Sequence, residues 1–242
     1  MILKEQVEPF AGKTVAEAGG NSKKLDLDLL AGKTVIGFKS FGKNFFICFT
    51  GFSIRIHFML FGTYRINQHK DTPARLSLHF DDGSELNFYA CVVQHITQPL
   101  DELYNWAADV MNPAFSAAEA LKKLQAKPQM LACDAMLDQQ IFAGSGNIIK
   151  NEVLFRIRVH PLSRLGAIPQ QKLEEMIAET VNYSFEFLHW KKEFTLKKHW
   201  LAHTKTICPR DDVPFKKAHL GKTNRRSFFC EVCQVLYSSS VH

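Results

Sequence analysis

Near the end of the chain, three cysteines and one aspartate stand at metal-ligand spacing. Cys230 and Cys233 form a Cys-x2-Cys pair, the interval at which a tight turn brings two thiolates onto one tetrahedral ion. Upstream, Cys208-Pro209-Arg210-Asp211 offers a thiolate and a carboxylate at the same interval. Two complete Cys-x2-Cys pairs ~15–20 residues apart would be a strong zinc signature. Here an aspartate takes one place, and carboxylate oxygen is an accepted though less common zinc donor. Cys208, Asp211, Cys230 and Cys233 are thus candidate ligands of one structural zinc. His203 and His219 compete for the fourth position, and a hairpin that folds without metal is the other reading. Cys48, Cys91 and Cys133 have apolar neighbours and read as core thiols.

Between the half-sites runs His219-Leu220-Gly221-Lys222-Thr223-Asn224-Arg225-Arg226-Ser227-Phe228-Phe229, which in a zinc ribbon is a β-hairpin with a basic tip. Guanidinium forks at a rigid tip suit phosphate oxygens. A second anion site is written into Asp138–Pro161. The segment reads as a short helix, the turn Gly144-Ser145-Gly146, then a helix with Ile148, Leu154 and Phe155 inward. Such a turn leaves backbone N–H groups free at a helix N-terminus, with Asn147 as an added donor. No strand leads into the glycines, which excludes a dinucleotide fold.

The elements that must hold these groups fall into three stretches. Lys33–Lys39, Asn44–Phe49, Phe52–Phe58, Gly62–Ile66, Arg75–Phe80 and Glu85–Cys91 are short β-rich runs separated by turn signals, which indicates a sandwich or barrel over residues 1–112. Residues 113–202 read as helical. Ser116 and Glu119 have capping-box spacing, and Leu173, Met176, Ile177 and Val181 recur at helical intervals after Pro169. Residues 203–242 form the finger. The predicted class is therefore α+β and multidomain. Charge is divided in the same way: residues 1–190 hold 19 Lys/Arg against 20 Asp/Glu, and residues 191–242 hold 11 against 4. A basic excess confined to the end of the chain points to a polyanion partner, nucleic acid ahead of a membrane. With 242 residues, 46% of them apolar and six cysteines, disordered, collagen-like and disulfide-scaffold classes are excluded. No apolar run approaches a membrane span, and the charged first residues do not read as a signal peptide.

Taken whole, Asp138–Pro161 closely resembles the helix–two-turn–helix signature of the formamidopyrimidine-DNA glycosylase/endonuclease VIII family. Arg225–Cys233 with Gln234 is similar to that family's C-terminal finger, and the domain order matches along nearly the whole chain. The resemblance implies a base-excision DNA repair glycosylase with AP-lyase activity, monomeric, acting on double-stranded DNA that carries damaged bases or abasic sites. It implies a bacterial, cytoplasmic protein associated with the nucleoid. Damaged bases would be flipped into a cleft between the β and helical domains. Ile56-His57-Phe58-Met59-Leu60-Phe61-Gly62 is similar to the strand and loop that fills the gap left by an extruded base, so Met59, Leu60 and Phe61 are candidate DNA contacts. Read alone, Leu60 and Phe61 would be core packing. Their apolar character resembles the endonuclease VIII branch, which favours oxidised pyrimidines. By the same matching, Lys43 corresponds to a phosphate-contacting lysine that assists β-elimination, Asn147 to a phosphate-binding asparagine, and Arg225 to the finger arginine that assists δ-elimination.

One family feature is not matched. The family's nucleophile is an amino-terminal proline, followed by glutamate, whose secondary amine attacks C1′ of the damaged nucleotide. This chain opens Met1-Ile2-Leu3-Lys4-Glu5, similar to the family sequence about seven residues in and roughly 10 Å along its first helix. Neither the Met1 amine nor Lys4 matches the nucleophile's place. A misplaced start codon, a shortened chain and a decayed paralogue all fit. The expectation is a glycosylase fold whose nucleophile is absent from the chain as given, with a catalytically silent protein that binds damaged DNA as the alternative. A zinc-ribbon protein acting on RNA is a more distant reading.

Overall fold

The computed structural model describes residues 1–23 and 25–238. It divides into two compact units, Met1–Tyr104 and Asn105–His242. The helical stretch and the finger thus share one unit.

The first unit opens with helix α1 (Ile2–Val7) and, among the described residues, contains six antiparallel strands. These are β1 (Val15–Gly19), β2 (Gly37–Phe41), β3 (Asn44–Phe49), β4 (Phe52–Ile66), β5 (Leu76–Phe80) and β6 (Glu85–Ile96), and a short helix, α2 (Leu100–Leu103), closes the unit. The strands join in the order β1-β5-β6-β4-β3-β2. One continuous sheet makes both layers of the expected sandwich, because β4 and β6 are long enough to serve each layer in turn. The first half of β4 pairs with β3 and with the end of β6, and its second half pairs with the start of β6. The layers then face one another, which brings Phe45 of β3 against Phe88 of β6 at 6.2 Å between ring centroids. Alternation works as the sequence suggests: Ile54 and Ile56 are fully buried, and Arg55 and His57 lie on the other face, half-buried.

Three strand readings need correction. Phe52–Phe58 and Gly62–Ile66 are one strand, interrupted by a bulge and not by a turn. Strand β2 begins only at Gly37; upstream, Thr34 makes an isolated bridge to Thr14. Strand β1 was not among the predicted runs, because Val15-Ala16-Glu17-Ala18-Gly19 has a single β-branched residue and depends on pairing with β5.

The second unit contains α3 (Ala117–Gln125), α4 (Ala132–Ala135), α5 (Asn147–Arg156), α6 (Gln170–Lys192) and a hairpin of β7 (Lys216–Leu220) and β8 (Arg225–Phe229). Ser116 caps α3 by accepting from the Glu119 N–H at 3.2 Å. The reciprocal half of the capping box is not made, since the Glu119 carboxylate instead accepts from Asn105 at 3.4 Å. Helix α6 starts at the predicted Pro169 boundary and buries Leu173, Met176 and Ile177, with Thr180, Tyr183 and Ser184 continuing the stripe; Val181 is half-buried beside them. The short helix expected at Asp138 lies earlier, at Ala132–Ala135, and residues 136–142 are mostly turns. Within α5, Ile149 and not Ile148 is the buried isoleucine, while Leu154 and Phe155 point inward as expected. Among the described residues no helix is long and apolar enough to cross a membrane.

Candidate nucleic-acid interface and metal centre

Seven consecutive residues of α5, Ile149 to Phe155, are buried, and three of them are Lys150, Asn151 and Glu152. Polar side chains inside a protein need partners. All three find theirs on the finger or on the segment that leads to it. Lys150 Nζ donates to Ser227 Oγ at 2.7 Å and to the Arg226 carbonyl at 3.3 Å. Asn151 Nδ2 donates to the same carbonyl at 3.4 Å, and its Oδ1 accepts from the Phe228 N–H. The Glu152 carboxylate accepts from the N–H groups of Leu201, Ala202 and His203 at 2.6–2.9 Å.

Burial pushes the Lys150 ammonium down to about 8, partly opposed by Cys133 and Asp134 and reinforced by Arg225. Burial, helped by Lys150, also pushes His203 down to about 4. His203 is therefore neutral at physiological pH, and its Nδ1 lies 3.0 Å from Asn151 Nδ2. Sequence reasoning did not single out Lys150, Asn151 or Glu152. The available signal was three polar residues running across what should be the inward face of a helix.

The predicted phosphate donors sit at the exposed end of this arrangement. Asn147 is the first residue of α5, and its Nδ2 donates to the Arg226 carbonyl at 2.9 Å. Arg225 and Arg226 open β8 and are exposed. The turn before them is fixed by Asp134, whose carboxylate accepts from the N–H groups of Lys222 and Thr223. Gly221 adopts φ +70°, and a Cβ there would collide with that carboxylate. Only glycine meets both conditions.

Below the tip, Cys208, Asp211, Cys230 and Cys233 converge, with one ligand atom from each lying within 4.8 Å of all the others. Cys208 Sγ and Cys233 Sγ are 3.8 Å apart, and Asp211 Oδ2 is 3.2 Å from the sulfurs of Cys208 and Cys230. A tetrahedral ion bound at ~2.3 Å needs sulfurs about 3.8 Å apart, so the spacing fits a metal. Hydrogen bonds from the thiols of Cys233, Cys230 and Cys208 hold the Asp211 carboxyl below its usual range. The histidine competitors are engaged elsewhere: His203 packs on Trp200 and Phe228, and His219 Nδ1 meets the Asn224 carbonyl at 2.9 Å. Arg210 links the cluster to α5. Its guanidinium donates to the Phe155 and Arg156 carbonyls, approaches Cys233 Sγ at 3.8 Å and lies over the Phe155 ring. Cys48, Cys91 and Cys133 are buried free thiols, as expected; burial pushes the latter two up to about 11.

The other predicted contacts lie in the first unit. Lys43 follows Gly42 in the β2–β3 turn and is exposed. The next residue, Asn44, holds His57 Nδ1 at 3.2 Å. Burial, and then the charges of Arg55 and Lys43, push His57 below its usual value, which places Lys43 within electrostatic reach of that ring. His57 was not assigned a role from sequence. Two residues further along β4 is the interruption. Phe58 pairs with Cys91 and Thr63 with Tyr89, so Met59, Leu60, Phe61 and Gly62 all stand opposite the single residue Ala90, which adopts φ 49°. Leu60 is 87% exposed and Phe61 79%. Core packing, their reading as isolated residues, is excluded. Gly62 permits the fold-back, since a Cβ there would lie 2.8–2.9 Å from Phe58.

Comparisons with known proteins agree with this architecture. Residues 4–90 match the family model described as "Formamidopyrimidine-DNA glycosylase N-terminal domain", and residues 106–187 match "Formamidopyrimidine-DNA glycosylase H2TH domain". Endonuclease 8-like 3 of Xenopus laevis is 28% identical over 95% of this chain and 39% of its own length. Endonuclease 8-like 2 of Mus musculus is 31% identical over 77% of this chain and 59% of its own. The chain thus spans between two-fifths and three-fifths of the length of these relatives. Both are vertebrate proteins, and they lend no support to the bacterial placement expected from sequence. Among solved structures, a viral DNA glycosylase superposes with TM-score 0.82 at 19% identity over 97% of each chain. Lactococcus lactis formamidopyrimidine-DNA glycosylase, bound non-covalently to DNA with an AP site, superposes with TM-score 0.83 at 18% identity over 96% of each. At such identity the structural likeness speaks for the fold. With two models of one family matched in chain order, the sandwich, the buried α5 and the finger place this chain in the formamidopyrimidine-DNA glycosylase/endonuclease VIII family.

Proposed function

We propose that the chain is the DNA-engaging body of a base-excision glycosylase and AP lyase that removes oxidised bases, pyrimidines ahead of purines, and acts as a monomer on double-stranded DNA. The observation that carries this reading is the bulge on β4. Two large apolar side chains, Leu60 and Phe61, are held in water between strand segments that stay paired on both sides. Exposure of that kind marks a surface that is covered on binding. Their size and apolar faces suit the space vacated when a damaged base leaves the stack, a step that costs a few kcal/mol of unstacking.

The remaining residues divide the work. Asn147, Arg225 and Lys43 grip the phosphates near the lesion, with Lys43 assisting β-elimination and Arg225 δ-elimination. Zinc on Cys208, Asp211, Cys230 and Cys233 would supply rigidity to the finger, and no step of the reaction passes through it. The attacking amine, by family resemblance, belongs to an amino-terminal proline next to glutamate. Neither residue stands at positions 1 and 2 of this sequence.

The test uses duplexes that carry an abasic site, an oxidised pyrimidine or an oxidised purine, with borohydride trapping of the Schiff base. The 242-residue chain should favour the abasic duplex over an intact one yet form little trapped adduct. A version extended by an exposed Pro-Glu segment should gain trapping and strand cleavage, fastest on the pyrimidine lesion. Loss of that gain on replacing the proline completes the assignment. If the extended chain neither cleaves nor distinguishes an abasic duplex from an intact one, the reading fails. Lesion-selective binding without cleavage would favour the catalytically silent alternative.

A further inference from the structure

Helix α6 ends in an unusual way. Its last turn closes through Glu193 N–H to the His189 carbonyl, Phe194 N–H to Lys191, and Thr195 N–H to Trp190. This closure places the residue after the C-cap in the left-handed region, a position that glycine normally takes. Here it is Phe194, at φ 59°. A bulky side chain is strained there. The ring gains nothing from packing in return, being 96% exposed.

The turn beneath it is well braced. Trp190 stacks on His199 with centroids 4.2 Å apart and planes within 4°, and it meets Tyr183 edge-on. A short 3-10 turn, Leu196–His199, follows directly. On either side of Phe194 in sequence lie the exposed residues Lys191, Lys192, Lys197 and Lys198, and Glu193 among them lies 3.3 Å from His189.

A strained, fully exposed aromatic on a braced support, with lysines on both flanks, combines the two parts of a single-strand contact. The ring supplies a stacking platform for a base and the ammonium groups track the phosphates on either side. Intact duplex offers no free base face along its length, whereas an unpaired strand offers one at every nucleotide. We infer that the end of α6 is a second nucleic-acid contact, for single-stranded DNA or RNA, on which Phe194 stacks an unpaired base and Lys191, Lys192, Lys197 and Lys198 engage its flanking phosphates. It uses none of Lys43, Met59–Phe61, Asn147 or Arg225, and it does not depend on glycosylase activity.

The experiment measures binding of the full chain to an oligothymidylate of about twelve nucleotides, in an Arg225→Ala background that weakens the finger contact. Phe194→Gly should lower the affinity about tenfold, while thermal stability stays level or rises because glycine relieves the left-handed backbone. Phe194→Trp should keep the affinity. Lys191→Gln with Lys197→Gln should flatten the salt dependence by about 0.7 for each charge removed. Unchanged affinity in Phe194→Gly overturns the inference. So does a fall in stability of the glycine variant, because the ring would then be structural. A Phe194-dependent affinity for phosphatidylserine vesicles with none for the oligonucleotide also overturns it and reassigns the surface to lipid.

Discussion

The side-chain amide of Asn147 donates to the main-chain carbonyl of Arg226 at 2.9 Å, tying the first residue of α5 to the residue beside Arg225 on the finger. Lys150 and Asn151, three and four positions further on the same helix face, reach the same oxygen at 3.3 and 3.4 Å. One carbonyl therefore collects three donors from one helix. The finger arginines are positioned by α5 as well as by the hairpin that carries them.

Replacing Arg225 by alanine should weaken duplex binding without unfolding the hairpin, because the residue is exposed and its neighbour supplies the anchor. If about four phosphates are neutralised, log K should fall against log salt with a slope of about −3.6, and the variant should lose roughly 1 from that slope. Fluorescence anisotropy across a salt series measures both. An unchanged slope would remove Arg225 from the phosphate contact.

Lys150 makes stability depend on pH. Its ordinary value is 10.5 and burial brings it to about 8 in the folded chain. Between these values the unfolded chain binds the extra proton, so stability rises with pH through that window, by roughly 3 kcal/mol in all. Lys150→Met should abolish the rise. His203 acts with the same sign in acid, since it titrates near 4 folded against 6.5 ordinarily, and stability should fall as pH drops from about 6.5 to 4. Urea unfolding from pH 4 to 10.5 reads both windows, and a flat profile for the parent chain would count against this account of α5.

Asp211→Cys should slow metal loss to a chelator, since a fourth thiolate replaces the harder oxygen donor. Asp211→Ala should accelerate it. Metal analysis of protein purified without chelator, followed by timed chelator challenge, gives the order of the three chains. A finger that stays ordered with no metal bound would leave the four residues without a zinc role.

The bulge separates binding from folding. Leu60→Ala with Phe61→Ala should change stability by no more than about 0.5 kcal/mol, as is usual for exposed positions, yet reduce discrimination of lesion-bearing from intact duplex. Gly62→Ala should do the reverse and cost ~1–3 kcal/mol, because its methyl has no room beside Phe58. Thermal melts paired with duplex titrations test the contrast. Destabilisation by the double alanine variant would return Leu60 and Phe61 to the core.

Local chemistry was readable in the sequence wherever one residue type does one job. Ser116 as a cap, Pro169 as a helix boundary, the Cys-x2-Cys turn and the glycines before Asn147 all act through their nearest neighbours. What escaped depended on distant partners. Strand β1 exists because β5 pairs with it. The polar run Lys150-Asn151-Glu152 is buried because residues some fifty to seventy-seven positions later supply its hydrogen bonds. Leu60 and Phe61 were ambiguous for the same reason. Two apolar residues in a β-rich run are core by default, and only the pairing of Phe58 with Cys91 and Thr63 with Tyr89 places them outside it.

That pairing also bears on how such a chain can change over time. The bulge takes up four residues against one while the strands on either side keep their partners. A shift of one residue elsewhere in β4 would turn every inward side chain outward. At Met59–Phe61, substitutions, and even a change of length, leave the inward and outward faces of β4 as they were. The tip proposed to meet the DNA stack is thus insulated from the part that folds, so a lineage can exchange that tip without rebuilding its core.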